Sequence, residues 1–356
     1  MTHAPSEREE GSPEEILQRV ARISLFVAAG AATIAFFFAA PKAAVRGWLL
    51  AYVLFSQAAL GSLALLLIHN LTPVRFGVHF GPRLKTVLWG IPLLAFFWIP
   101  VALHLDAIYH WVSSPAALPP QVHEVYLNPL SFQLRTVVAL AGWMLFATLI
   151  LIFGLIPRFM AAAGLVFFGL SSYVFGFDWI LSIGAPFISS SFNAEMAIQC
   201  LATGLAVCAI CAPGVTDEQA RGDVGGFLLA ACLGVFYFGL MAFIVYWYGN
   251  LPDQAEWYLE RSGHWLFALG GAVLFGAAIP IVSLLFGAVR NNGRPLRLVG
   301  ASALLGMALH NLWLFAPVMS ATSMLAAALS FIAMMGVFAV VAWSGRRMIE
   351  RERSDG

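Results

Sequence analysis

Long apolar runs separated by short polar segments make up most of this chain of 356 residues. A helix of about 20 mostly apolar residues is long enough to cross roughly 30 Å of hydrocarbon. Runs of this kind recur ten times, at about 21–40, 46–70, 84–108, 132–156, 159–183, 193–212, 224–249, 263–289, 297–317 and 321–344. The pattern predicts an all-α polytopic membrane protein with about ten transmembrane helices.

The composition supports lipid as the solvent. Hydrophobic residues make up 61% of the chain and the four charged types 10%, against about 45–50% and about 25% in an ordinary soluble protein. The net charge of +1 provides no basic footprint for nucleic acid. All four cysteines lie within apolar runs, where they behave as small hydrophobes, and they form no disulfide framework or zinc spacing.

The distribution of Lys and Arg predicts the orientation in the membrane. Fifteen of the 19 lie in the tails and loops on the amino-terminal side, and such residues favour the cytoplasmic side. We therefore expect a multi-pass protein of the bacterial inner membrane with both termini in the cytoplasm. Residues 1–20 and 345–356 are predicted cytoplasmic tails around a membrane domain at 21–344. The longest exterior loops are predicted at about 109–131 and 250–262.

A weak internal echo suggests a duplicated unit. Tyr126-Leu127 precedes Arg135 and an apolar run, and Tyr258-Leu259 precedes Arg261 and another run four spans later. Self-similarity at a fixed spacing indicates repeated architecture. The echo predicts two four-helix bundles, spans two to five (about 46–183) and six to nine (about 193–317), flanked by single helices.

Ionisable side chains in or near the predicted spans collect toward the exterior ends. Such groups are costly in a membrane and usually face a cavity or a partner. The candidates for proton transfer are Asp178, Asp106, His110, His104, His310 and Glu195. Asp106 and His110 lie four residues apart and are expected to share a helix face, although a solvated helix end explains them equally well. Arg135 and Arg261 are expected to neutralise buried acids.

The sequence contains no motif for a covalently bound cofactor, a metal site or a nucleotide. It lacks Cys-x-x-Cys-His, iron–sulfur cysteine spacings and Walker or Rossmann fingerprints. His69 and His310 are the deepest histidines, and the topology sets them nearer opposite ends of the membrane, so a haem between them is not expected. Redox chemistry would therefore send its electrons through a neighbouring protein.

Specific strings carry a resemblance that runs in order from about 45 to 317. They are Tyr126-Leu127-Asn128-Pro129-Leu130-Ser131-Phe132-Gln133-Leu134-Arg135, Phe177-Asp178-Trp179-Ile180-Leu181-Ser182, Tyr246-Trp247-Tyr248-Gly249-Asn250-Leu251-Pro252 and Trp257-Tyr258-Leu259 with Arg261 and Trp265. Together they resemble quinone-binding subunit 2 of the bacterial quinol:cytochrome c oxidoreductase called alternative complex III, a polysulfide-reductase-type membrane subunit. After Ser182 the family continues with an acidic residue and an aromatic-rich turn, whereas this chain reads Ile183-Gly184-Ala185-Pro186-Phe187.

The resemblance implies a subunit with two four-helix bundles and no covalently bound cofactor. Its implied partners are a homologous quinone-binding membrane subunit, an iron–sulfur subunit of the molybdopterin-oxidoreductase type and haem c subunits. The complex oxidises menaquinol or ubiquinol near the outer face and passes electrons to cytochrome c or an oxidase. This subunit supports quinol binding or proton transfer, with Asp178, Arg135 and Arg261 as polar positions of the bundle interior.

Two other functions fit part of the sequence. A secondary transporter is compatible with ten spans and a weak repeat, although transporters place polar and helix-breaking residues near mid-membrane, and here polar residues cluster outward. A purely structural anchor of a redox complex predicts that every acid in the spans tolerates neutral substitution.

Overall fold

The computed structural model describes residues 13–114, 120–185, 187 and 189–355. Throughout this part of the chain every regular element is helical, which confirms the all-α prediction. The α-helices are α1 (Pro13–Ala39), α2 (Pro41–Leu71), α3 (Arg75–Leu88), α4 (Ile91–Leu103), α5 (His110–Ser113), α6 (Pro120–Val125), α7 (Pro129–Phe153), α8 (Arg158–Tyr173), α9 (Phe192–Cys211), α10 (Glu218–Tyr248), α11 (Pro252–Leu259), α12 (Leu266–Val273), α13 (Ile279–Leu284), α14 (Gly287–Arg290), α15 (Gly293–Leu314) and α16 (Ala321–Asp355).

Nine helical segments of the described residues are long and apolar enough to cross a membrane. Most match the predicted runs closely. The third is displaced: it spans Arg75–Leu103 rather than 84–108, because α3 begins directly after the preceding loop and α4 ends early. The ninth predicted span, 297–317, corresponds to α15 and is not among these nine segments, because Arg297, His310 and Asn311 reduce its hydropathy. The chain is a polytopic membrane protein.

The long helices pack in two groups. The first bundle consists of α2, α3–α4, α7 and α8, and the second bundle consists of α9, α10, α12–α13 and α15. Helices α2 and α9 pack against each other at the centre, and α1 and α16 form a flanking pair in which α16 lies on α2. This packing agrees with the predicted arrangement of two four-helix bundles with flanking helices.

Small residues let α2 and α9 approach closely. A Cβ atom added to Gly61 would collide with the carbonyl oxygen of Cys200, and one added to Gly204 would lie 2.8 Å from the carbonyl carbon of Gly61. Membrane helices gain van der Waals contact in this way because lipid provides no hydrophobic force between them. The two bundles are thus joined by direct backbone contact.

Substitution of Gly61 tests this contact. We expect Gly61→Ala to destabilise the protein by about 1–3 kcal/mol, because the added methyl group overpacks α2 against α9. The control is Gly226→Ala in α10, where an added Cβ meets no atom within 4 Å, so the better helix propensity of alanine stabilises by up to about 1 kcal/mol. Thermal unfolding in detergent measures both variants. A Gly61→Ala variant as stable as Gly226→Ala, or more stable, would contradict the close packing of α2 and α9.

The helices alternate in direction, which gives the bundle two distinct ends. The connections at 104–114, 120–128 and 249–262 lie at one end, here called the loop face. Helix α1 begins and helix α16 ends at the other, here called the tail face. At the tail face, the Asn70 side chain accepts a hydrogen bond from the backbone N–H of Ile156 at 2.8 Å. At the loop face, Arg46 donates to the carbonyl of Ala107 at 2.8 Å.

Two π-helical turns interrupt long helices, one near the loop-face end of its span and one near the middle of its span. One, Val174–Asp178, follows α8, and the other, Leu274–Ala278, joins α12 to α13. Such turns redirect the helix axis and occur frequently at functional sites. The first turn ends with Asp178, and the second lines a cavity of the second bundle.

Candidate functional site

Asp178 forms a buried ion pair in the first bundle. The Arg135 guanidinium donates to both carboxylate oxygens, with Nε to Oδ2 at 2.8 Å and Nη2 to Oδ1 at 3.1 Å. The Tyr126 hydroxyl donates to Oδ1 at 3.0 Å. Asp178 has no exposed surface, and 22% of the Arg135 side chain is exposed. The predicted pairing of Arg135 with a buried acid is confirmed.

The remaining donors of Arg135 are also used. Its Nη1 donates to the Tyr126 carbonyl at 3.0 Å and to the Ser131 hydroxyl at 2.6 Å, and the guanidinium lies 3.8 Å from the centroid of the Tyr126 ring. Burial, with the nearby Asp178 charge, raises the pKa of the Tyr126 phenol well above its ordinary value. The phenol therefore stays protonated and acts as a donor at neutral pH.

Aromatic rings fill the space beside this ion pair. Trp179 stacks on Trp98 with ring centroids 4.9 Å apart, and its indole N–H donates to Thr136 at 3.1 Å. Tyr52 and Trp143 pack against the same indole. A satisfied and tightly packed ion pair of this kind fixes helix positions, so the geometry gives Asp178 a structural role.

The second bundle contains a cavity toward the loop face. Its volume is about 390 Å³, and it lies between α9, α10, α12–α13 and α15. Most of its lining is apolar or aromatic, and the described lining includes one carboxylic acid, Glu195, and one imidazole, His310. The principal aromatic lining residues are Phe187, Phe192, Phe236, Phe243, Trp257, Tyr258 and Trp313.

Glu195 and His310 face each other across this cavity. His310 Nε2 lies 3.4 Å from Glu195 Oε1, and His310 Nδ1 lies 3.1 Å from Gln199 Oε1. The Gln199 amide nitrogen points to the carbonyl of Met307 at 3.4 Å. Because a carbonyl only accepts, the amide oxygen is the atom that faces His310 and accepts from its Nδ1–H. The lone pair of Nε2 is then directed at Glu195, so acid and imidazole can share one mobile proton.

An amide pair ties this site to the first bundle. Asn311 Nδ2 donates to the Met307 carbonyl at 2.7 Å and to Gln57 Oε1 at 3.1 Å. Gln57 Nε2 donates back to Asn311 Oδ1 at 3.2 Å. Both amides are fully buried. Hydrogen bonds thus extend from Glu195 through α15 to α2 in the first bundle.

Arg261 is buried behind Trp257, a residue of the cavity wall. It is 1% exposed, and it donates to the carbonyls of Trp257 at 2.7 Å and Leu314 at 3.2 Å. Its guanidinium lies 3.7 Å from the centroid of the Trp257 ring. Burial lowers the pKa of Arg261 to about 10, so it remains charged near neutral pH. Among the described residues its ion-pair partner is Glu260 at 3.7 Å. Arg261 therefore pairs with an acid, but that acid is exposed rather than buried as predicted.

The loop-face candidates His104, Asp106 and His110 lie neither at the Asp178 ion pair nor in the cavity of the second bundle. Helix α4 ends at Leu103, a 3-10 turn covers Leu105–Ala107, and a new helix starts at His110. The prediction that Asp106 and His110 share a helix face is therefore wrong, since no continuous helix connects them. Both side chains are exposed, and His104 Nδ1 contacts the carbonyl of Pro100 at 3.1 Å.

The sequence did not identify several residues of the site. Gln57, Gln199 and Asn311 contribute the amides that orient the pair, and Phe187 and Trp257 stack at 4.6 Å along the cavity wall. A signal for the amides was present, because Gln57 and Gln199 interrupt otherwise apolar runs. The aromatic wall had no such signal, because interfacial belts have the same composition.

Substitution of Gln199 tests the orientation of His310. We expect Gln199→Leu to lower the free energy of unfolding by about 1–3 kcal/mol, because the buried Nδ1–H of His310 loses its acceptor. Gln219→Leu is the matched control, because Gln219 is exposed at the start of α10 and surface changes stay within about 0.5 kcal/mol. Equal stability of the two variants in thermal unfolding would argue against the hydrogen bond.

The chain matches no family model, and no curated protein matches it. Among the described residues, no group of three or more His, Cys, Asp or Glu side chains is placed to hold a metal ion.

Proposed function

We propose that this chain is an integral membrane subunit of a quinol-oxidising respiratory complex of the alternative complex III type. The observation that carries the proposal is the apolar, aromatic cavity that encloses the Glu195–His310 pair. The resemblance supports the same assignment, with a homologous quinone-binding membrane subunit, an iron–sulfur subunit and haem c subunits as partners. Menaquinol or ubiquinol is the ligand.

The shape and lining of the cavity suit a quinol ring. Its volume of about 390 Å³ falls within the range of about 300–1,000 Å³ that is usual for small-molecule sites. The His310 ring lies nearly parallel to the indole of Trp313, with 18° between the planes. An aromatic head group is accommodated by such flat walls, and its hydroxyl reaches the one acid–imidazole pair of the described lining.

The pair provides the proton chemistry that quinol oxidation requires. Oxidation removes two protons and two electrons from the two hydroxyl groups, and the ring becomes a quinone. His310 Nε2, held as an acceptor by Gln199, takes the proton of the facing hydroxyl and passes it to Glu195, which releases it to water at the loop face. The proton of the other hydroxyl leaves to water as well. The two electrons would pass to the iron–sulfur or haem c subunits that the proposal names as partners. The pair titrates as one unit because the two groups are in contact.

The position of the pair gives the protons an exit. Glu195 lies three residues after the start of α9, and that start is at the loop face. The excess of Lys and Arg at the opposite end makes the loop face the exterior one in a bacterial inner membrane. Protons are then released on the outer side.

The proposal is tested by asking whether a bound quinone protects Glu195 from chemical modification. Dicyclohexylcarbodiimide reacts with protonated carboxyl groups in apolar sites, and mass spectrometry of the purified protein measures the labelling rate of Glu195. We expect decylubiquinone or menaquinone-4 to slow this rate about fivefold or more, as occupancy of the site rises above four-fifths. Glu218, exposed at the start of α10, serves as the unprotected control. Identical Glu195 labelling with and without both quinones would overturn the proposal.

A further inference from the structure

Helices α10 and α12 diverge beside the cavity. The π-turn at Leu274–Ala278 and α13 pack against both α10 and α15, whereas α12 packs against α15 and barely approaches α10. Close contact between Gly276 and Gly306 holds the turn against α15, since a Cβ on Gly276 would lie 3.2 Å from the Cα of Gly306. Helix α12 forms the half of the Gly263–Leu284 span that is nearest the loop face. It therefore leans away from α10.

The divergence leaves a slot in the wall of the cavity. Leu240 and Phe243 of α10 line the cavity and are nevertheless 40% and 43% exposed. Leu266 and Val273 of α12 line it from the other side and are 52% and 41% exposed. A side chain that lines a cavity and is also exposed marks the place where the cavity opens. We name these four residues the slot.

The slot extends from near the loop face to hydrocarbon depth. Leu266 and Phe243 form its shallow end, about 5–8 Å below the helix ends. Leu240 is eight residues before the end of α10 at Tyr248, which places it about 12 Å below that end at 1.5 Å per residue. Val273 is ten residues after Gly263, or about 15 Å along its span. The polar layer of one leaflet is only about 5–8 Å thick. An opening at this depth faces acyl chains rather than water.

Glu195 lies directly beside the slot. Gly239 is next to Leu240 on α10, and a Cβ added there would lie 3.3 Å from Glu195 Oε1. Glycine therefore lets the carboxyl group pack against α10 one residue from the slot. A head group that enters beside Leu240 meets the carboxyl group there.

From this geometry we infer that the ligand enters sideways from the lipid, and that its hydrocarbon chain stays in the slot between α10 and α12. The occupant is an amphiphile with a planar, proton-exchanging head and a long apolar tail. The inference rests on the proposed function and adds the route of entry and the place of the tail. The deeper half of the opening, at Leu240 and Val273, faces acyl chains and so favours an apolar tail over a water-soluble solute.

Two quinones that differ only in the tail test the inference. The protein is reconstituted in nanodiscs, and equilibrium binding of ubiquinone-0, which has no tail, is compared with that of decylubiquinone. Leu240→Trp with Val273→Trp fills the slot. The control is Leu233→Trp with Val282→Trp, since both residues are exposed on the same spans and do not line the cavity. We expect the slot variant to bind decylubiquinone about tenfold more weakly or worse, with ubiquinone-0 affinity unchanged.

A second measurement uses the unmodified protein and does not depend on how the variants fold. A ubiquinone with a photoreactive group at the end of its tail is bound and illuminated. We expect adducts within 236–243 and 266–273. Adducts instead in the neighbouring cavity of about 370 Å³, lined by Trp247, Asn250 and Pro252, would place the tail elsewhere and overturn the slot.

The outcomes separate the slot from the proposed function. If the slot variant binds both quinones as the control does, the slot is wrong and the cavity remains the binding site. If the unmodified protein binds neither quinone, the proposed function fails and the slot fails with it.

Discussion

Replacement of Arg135 by methionine destabilises the protein by about 3–5 kcal/mol, because Asp178 is left buried without its partner. The effect is large since Asp178 has no exposed surface and Arg135 donates to both of its oxygens. Unfolding by a graded denaturing detergent, followed by circular dichroism, measures the change.

The double variant Arg135→Met with Asp178→Leu is the critical control. Replacement of both members of a buried ion pair by apolar residues is often neutral or stabilising. We therefore expect the double variant to recover most of the stability and, once folded, to retain quinol oxidation. If the double variant instead loses as much stability as Arg135→Met and Asp178→Leu lose together, the pairing is contradicted. Loss of oxidation in the stable double variant would return Asp178 to the proton path.

Replacement of Glu195 by glutamine lowers quinol oxidation by the assembled complex by about 10²-fold or more, because a positioned acid or base contributes about 10²–10⁴. Glutamine preserves the size of the side chain and can still donate to His310 Nε2, so the fold and the cavity are kept. The turnover number of the purified complex, measured with a saturating short-chain quinol, reports the change.

Three matched variants define the specificity of that result. Glu218→Gln changes an exposed acid on α10, and Asp106→Asn and His110→Asn change exposed loop-face groups. We expect all three to keep turnover within about twofold, since none lies in the cavity. Turnover of Glu195→Gln equal to that of Glu218→Gln would contradict the role of the pair.

The architecture was readable from the sequence because lipid imposes one strong rule. A span must be apolar over about 20 residues and must satisfy its own backbone, so the ten apolar runs indicated the helices directly. The end of the third span was misplaced because apolar residues continue through Leu105, while the backbone turns at His104 with φ −135°. Hydropathy does not detect a helix end that falls within an apolar segment. For the same reason Asp106 and His110 were wrongly predicted to lie on one helix.

The ionisable residues were identified more successfully than their partners. Asp178, Arg135, Glu195 and His310 were all candidates, but Glu195 and His310 are 115 positions apart and meet only because α9 packs on α15. Pairing across two helices depends on rotation about both helix axes, which a weak apolar pattern does not specify. Phe187 comes from the segment after Ser182, where this chain departs from the pattern of the family that it resembles.

The two echoing segments have related local geometry and different partners. Arg135 and Arg261 each lie on an aromatic ring and donate to the carbonyl of that same residue, Tyr126 and Trp257 respectively. In the first bundle the arginine then reaches an acid, and aromatic rings fill the core. In the second bundle it binds a helix-end carbonyl, and a cavity remains. The sequence echo therefore reflects a shared arginine motif, whereas the difference in packing separates a filled, structural site from the cavity that we propose binds a ligand.

The central claim is that the quinol ring lies in the second bundle beside Glu195 and His310. Photolabelling of the purified complex with a quinone that carries an azido group on the ring tests it most directly, with the adducts located by mass spectrometry. The account predicts adducts within 192–199 and 307–314, and their loss when decylubiquinone is present in excess. Adducts confined to the first bundle, within 126–135 and 174–182, would contradict it.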